Sequence, residues 1–214
     1  TGTWIRSGEL VKFLRAVPQD ILVAIDEAYV EFVEDDCDFP DSLALQKDHP
    51  NVLILRTFSK AYGLAGMRVG YAIGTESLIA KMNRVRLPFG VNHLAQVAAV
   101  AALEDTQHLQ ETLANNAVGK AFLLDQLGRL GVFHTDSQGN FLFLVLGEQH
   151  IAPEQELRQL GVNAKSFPLS NGGTGLRITI GTPRQNQIFV DCLRRYLKSN
   201  PSTRATTKKW VSSP

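Results

Sequence analysis

Cysteine, methionine and tryptophan each occur only twice among the 214 residues. Cys37 and Cys192 have no paired spacing. That excludes a disulfide framework and a cysteine-based zinc site, and it suits a reducing cytosol. An excess of one charge is also missing. Lys and Arg number 22 against 21 Asp and Glu, a formal net charge of +1. No basic field therefore draws the chain to nucleic acid. No apolar run is long enough to cross a bilayer, and no leader-type segment opens the chain. No internal repeat is visible. The opening "TGTWIRSGEL" lacks a methionine. With 44% apolar and 20% charged residues, the composition is that of a globular protein. The length allows one large domain or two small ones.

Three apolar runs read as strands: "ILVAID" (21–26), "NVLILRTF" (51–58) and the shorter "VGYAIG" (69–74). Such runs suit strands buried on both faces, as in a parallel sheet. "SGELVKFLRAVPQD" predicts a short helix with Ser7 as its N-cap and a stop at Pro18–Asp20. "ESLIAKMNRVRL" predicts a helix ending at Pro88. The alanine-rich "NHLAQVAAVAALED" predicts another, capped by Asn92 and packed closely on its neighbours. A long pattern over 107–130 predicts a helix bridging two lobes. Beyond Gly131 come short strands, "VFHT" and "NFLFLVL", then a helix, "PEQELRQLG", and a strand, "GLRITIG". The last helix is signed by Thr182 as cap, Pro183 at the first position and Gln185 closing a capping box. The expected division is 1–106 and 107–200, with the polar, basic tail 201–214 disordered or foreign to the fold.

The chemistry concentrates in "TFSKAYGLAGMRVGY" (57–71). Lys60 is either a solvated lysine or an amine able to form a Schiff base with an aldehyde. Ser59 offers a hydroxyl beside it, and Gly63 and Gly66 let backbone approach a ligand. Arg68 brings a guanidinium fork suited to phosphate, or else to a strand-edge ion pair. Asp26 falls at the carboxyl end of the first apolar run, where open α/β sheets place their ligand crevice. It either caps a turn or supplies a carboxylate to a pyridine nitrogen, which would keep that ring protonated as an electron sink. Tyr29, three residues on, either packs or hydrogen-bonds such a ring. Arg177 in "GLRITIG" either snorkels at a sheet edge or grips a carboxylate with two parallel hydrogen bonds.

"DEAYVEF", "RTFSKAYGLAGMRVGY", "RLPFGVNHLAQVAAVAALED" and "LRITIGTPRQN", in this order, resemble the pyridoxal-phosphate aminotransferases of fold type I. Within them the match is to the histidinol-phosphate aminotransferase family. The resemblance runs from residue 1 to about residue 200. It implies an α/β fold: part of a large, mostly parallel-sheet domain, followed by a smaller α+β domain. It implies pyridoxal 5'-phosphate as cofactor, no metal, and transamination between L-histidinol phosphate and 2-oxoglutarate in histidine biosynthesis. Lys60 would carry the cofactor and shuttle the substrate's α-proton. Asp26 would pair with the ring nitrogen and Tyr29 with the ring hydroxyl. Ser59 and Arg68 would hold the phosphate, and Arg177 the substrate carboxylate. Asn140 matches a recurrent asparagine facing the site.

The resemblance also implies a cytoplasmic homodimer acting on a small amino donor and a 2-oxo acid. Aromatic amino-acid aminotransferases and threonine-phosphate decarboxylase resemble the same pattern. Measured against the family, the chain carries only the later part of such an enzyme. A non-catalytic piece that binds through an exposed sheet edge is therefore a third expectation. One departure stands in "NAKSF" (163–167), where many relatives have arginine in place of Lys165. Lysine keeps the charge and loses the two-pronged geometry. Lys165 is thus either an ordinary exposed lysine or a looser anion contact.

Overall fold

The structure, a computed structural model, describes residues 1–148, 150, 152–170 and 172–200. The tail expected to be disordered or foreign lies outside them. The chain divides into two compact units, one of Trp4–Leu113 and one of Thr1–Thr3 with the chain from Ala114 on.

The first unit is built on a three-stranded sheet. Its strands are β1 (Val23–Asp26), β2 (Val52–Thr57) and β3 (Gly70–Ile73), in the order β1-β2-β3. β1 pairs parallel to β2, with Asp26 level with Leu55. β2 is the central strand, and Val52, Leu53 and Ile54 are all buried. The third run differs from the buried parallel strand expected of it. β3 pairs antiparallel to β2, and Gly70 and Tyr71 are exposed. It has only four residues between Gly70 and Gly74, so it offers little side chain to bury.

α1 (Ser7–Ala16) lays Leu10 and Leu14, one turn apart, on Val23, Val52 and Ile54. Its cap is Arg6 rather than Ser7, because the Glu9 carboxylate reaches back to accept the Arg6 backbone N–H. A helix not expected, α2 (Ser42–Asp48), starts where Asp41 accepts from the Ala44 N–H. α3 covers Glu76–Val85, and α4 covers His93–Glu104. Asn92 caps α4 as expected, accepting from the Ala95 N–H at 2.8 Å. α4 buries only Ala95 and Ala99, while Leu94, Val97, Val100 and Leu103 are exposed. The close packing expected of it holds on one side alone.

α5 (Thr106–Leu130) begins in the first unit and ends in the second. The second unit's sheet has the order β4-β5-β7-β6, all antiparallel. Its strands are β4 (Phe133–His134), β5 (Phe141–Leu146), β6 (Lys165–Pro168) and β7 (Thr174–Thr179). β6 was not expected. α6 (Pro153–Gln159) and α7 (Pro183–Ser199) pack with Leu123 and Leu127 of α5 over this sheet. The α7 start matches its sequence signs. Thr182 Oγ1 accepts from the Gln185 N–H, and Gln185 Oε1 accepts from the Thr182 N–H. Gly175 on β7 lies under the Phe143 ring, where a Cβ would come within 2.1 Å of Cζ. Only glycine permits that approach.

Candidate functional site

Five of the six expected site residues lie in the first unit, around the carboxyl ends of β1 and β2. Asp26 is the last residue of β1. It is exposed, and its Oδ1 accepts the Ala28 N–H at 3.0 Å, which orients the carboxylate where the strand ends. Tyr29 follows at the entry to a 3-10 turn, Val30–Phe32.

Lys60 lies three residues past β2. Its Nζ stands 5.1 Å from the centroid of the Tyr29 ring. A cation over a phenol face within about 6 Å is attracted by the ring quadrupole. The amine and the phenol, 31 positions apart, are thus neighbours, as are the strand ends that carry them. Two further bonds set the loop. The Gly63 N–H donates to the Lys60 carbonyl, and the Leu64 N–H to the Phe58 carbonyl. Gly63 takes a φ of +71°, which suits glycine.

Ser59 is half-buried, and its N–H donates to Thr57 Oγ1 at 3.0 Å. Arg68 is exposed and left-handed, with φ 55° and ψ 50°. Its Nη1 donates to the Ala65 carbonyl at 2.9 Å, closing the turn that carries it.

Beside this loop lies a charged cluster that no local pattern singles out. Glu27 is only 3% exposed. Its Oε2 accepts from both Nε and Nη2 of Arg56 on β2, each at 2.9 Å. Burial alone would pull Arg56 down, but hydrogen bonds to Glu27 and Tyr71 carry its pKa above the ordinary value. Glu31 is held above the usual carboxylate range, chiefly by burial. Its own backbone bond and Arg56 oppose the shift, and Glu27 adds to it. The Glu31 Oε2 is buried without a hydrogen-bond partner among the described residues. Tyr62 is raised as well, by burial and then by Glu31 and Tyr71.

In the second unit, Arg177 sits on β7 with its guanidinium carbon 3.7 Å from the Phe141 ring centroid. It lines a cavity of about 590 Å³ with Lys165, Arg158, Glu154 and Ser166. Ser166 donates to Glu154. Lys165 is exposed, and it faces the same space as Arg177. Asn140 precedes β5, and its carbonyl accepts from the Ile180 N–H at 2.8 Å. Arg158 and Glu154 carried no sequence signal beyond an ordinary solvated helix face.

The fold thus brings the Lys60 amine beside the Tyr29 phenol, near the strand end where the Asp26 carboxylate emerges. The chain belongs to the class I and II aminotransferases, whose family model matches residues 1–193. Histidinol-phosphate aminotransferase 2 of Carboxydothermus hydrogenoformans is 43% identical over 198 residues, covering 92% of this chain and 55% of that protein. An aromatic amino acid aminotransferase of Mycobacteroides abscessus is 44% identical over 196 residues, with coverages of 92% and 55%. The crystal structure of histidinol-phosphate aminotransferase from Sinorhizobium meliloti, in complex with pyridoxal-5'-phosphate, superposes with a TM-score of 0.77 at 27% identity. It covers 93% of this chain and 55% of that one. The chain thus spans about half the length of the curated relatives it matches. The family and the fold are those expected from the four motifs. Among the described residues, no helix is long and apolar enough to cross a membrane, and no group of three or more His, Cys, Asp or Glu could hold a metal ion.

Proposed function

We propose that this chain carries the lysine-bearing part of a pyridoxal-phosphate-dependent aminotransferase acting on L-histidinol phosphate and 2-oxoglutarate. The observation that carries the reading is Lys60 Nζ over the Tyr29 ring, at the sheet end where Asp26 emerges. The donor set fits the cofactor. An amine meets an aldehyde, a carboxylate meets a pyridinium, a phenol meets a ring oxygen, and a hydroxyl with a guanidinium meets a phosphate. When bound, pyridoxal phosphate supplies the aldehyde and a ring that takes up the electron pair left on the substrate's α-carbon.

The residues then have these tasks. Lys60 would hold the aldehyde carbon, and its Nζ would be the group that accepts the substrate's α-proton. Asp26 keeps a proton on the ring nitrogen, because a close negative charge favours the cationic form. Tyr29 would donate a hydrogen bond to the ring oxygen. Ser59 and Arg68 hold the phosphate, which keeps the reacting carbon in register with Lys60. Arg177, which lines one cavity with Lys165 and Arg158, is suited to an anionic group such as a substrate carboxylate.

In this reading residues 1–106 are the later portion of a large cofactor-binding domain, 107–130 a bridging helix, and 107–200 a small C-terminal domain. The assembly is a cytoplasmic homodimer. The apolar side chains exposed from Val85 to Leu103 supply surface for it to bury. A second reading, an aromatic amino-acid aminotransferase, is favoured by the relative at 44% identity.

The test is borohydride reduction of full-length protein incubated with pyridoxal phosphate, followed by peptide mapping. The label is expected on Lys60 and is lost in Lys60→Ala. A label on another lysine, or none, overturns the assignment. A substrate panel separates the two readings: amination of phenylpyruvate without turnover of histidinol phosphate selects the second.

A further inference from the structure

We propose that Glu27, Arg56 and Tyr71 form a positioning cluster that fixes the ends of β1, β2 and β3 against one another, and so sets the separation of Asp26 and Lys60. The inference rests on the site reading above. Its geometry stands without that reading.

Each member adjoins a residue with a proposed cofactor role. Glu27 follows Asp26, Arg56 precedes Lys60 by four positions, and Tyr71 follows Arg68 by three. The members come from three strand ends. Arg56 and Tyr71 are directly opposite in the β2–β3 register, so their side chains share one face of the sheet. The Glu27 N–H donates to the Leu55 carbonyl at 2.9 Å, so backbone and side chain both tie the end of β1 to β2. Side chains alternate along a strand. Glu27 therefore points into the unit while Asp26, one residue earlier, is exposed.

A buried ion pair is weak evidence for stability, because desolvation offsets much of the attraction. What it supplies is direction. Nε and Nη2 of Arg56 both meet one oxygen of Glu27, which leaves the two strands little freedom to slide. Glu31, the other carboxyl near Arg56, is disfavoured as an ion by burial and is the weaker competitor for the guanidinium.

The test compares the full chain with Glu27→Gln, Arg56→Lys and the apolar pair Glu27→Leu/Arg56→Met. Replacing a buried ion pair by apolar side chains of similar volume is often neutral for stability, so the pair variant should melt within about 3 °C of the parent. Amide exchange of Ala28, whose N–H donates to Asp26, should be about tenfold faster in that variant. The dissociation constant for pyridoxal phosphate should rise about tenfold. Arg56→Lys, which keeps the charge and loses the fork, should fall between the two.

Parent-like exchange and parent-like cofactor affinity in the apolar pair overturn the proposal, and so does lowered stability with both readouts unmoved. If the apolar pair fails to fold, the near-isosteric Glu27→Gln is read by the same two measurements. If the parent binds no pyridoxal phosphate, the site reading falls, and the exchange comparison still decides the cluster.

Discussion

Lys165 and Arg177 stand directly opposite each other on β6 and β7, so two cations share one face of the second sheet. Like charges at such a pair repel unless an anion lies between them. The cavity they line also holds Arg158, with Glu154 as the one carboxylate among the described residues. The arrangement suits a ligand carrying more than one negative charge. Lys165→Ala should weaken binding of a phosphate-bearing substrate about tenfold. Lys165→Arg should strengthen it by restoring a two-pronged contact. Both effects should shrink as salt rises. Competition by inorganic phosphate, measured calorimetrically at two ionic strengths, checks all three.

His150 and Tyr196 form a buried pair, with Nδ1 and the hydroxyl oxygen 2.9 Å apart. Burial lowers the His150 pKa below its usual 6.5, against the opposing pull of Glu156. Burial, with help from Glu156 and Glu154, pushes Tyr196 up to about 12. On acidification the unfolded chain therefore takes up the histidine proton first. Stability from this site is present above about pH 6.5 and is lost as pH falls below it. Thermal melts at pH 7.5 and 5.5 should show the loss, and His150→Gln should reduce it. Tyr196→Phe leaves the imidazole short of a partner and should cost about 1–3 kcal/mol at neutral pH.

Gly175 is under the Phe143 ring, and β7 is central in its sheet. Gly175→Ala should force the ring from its place and destabilise the chain by about 1–3 kcal/mol. Phe143→Leu in the same chain should recover part of that loss. Denaturant midpoints of the two single variants and the double variant decide it. Strictly additive losses would show that the ring is not the obstacle.

Some of this was legible beforehand and some was not, for physical reasons. The start of α7 was readable because Thr182, Pro183 and Gln185 act on neighbouring backbone, within one turn. Asn92 was readable for the same reason. β1 and β2 announced themselves as unbroken apolar runs. β6, with Lys165 and Ser166 in four residues, has no such run and becomes a strand by pairing with β7. α2 was hidden because the acid- and proline-rich approach to Asp41 reads as loop. At the site, Lys60, Asp26 and Tyr29 were singled out by residue type, and the fold brings Lys60 and Tyr29 together. The Glu27–Arg56 bond joins positions 29 apart, and nothing local in either stretch marks the other as its partner. The same holds for Arg158, which meets Lys165 and Arg177 only around a shared cavity.

Arg68 keeps a left-handed backbone, a conformation that costs a side-chain-bearing residue on the order of 1–3 kcal/mol. Glycine would relax that turn and remove the guanidinium in the same stroke. A thermostability screen run without cofactor would therefore reward Arg68→Gly, and under the proposed role of Arg68 the sturdier protein would hold phosphate less well. Under that role, directed evolution of this chain needs a binding step in every round to keep the guanidinium.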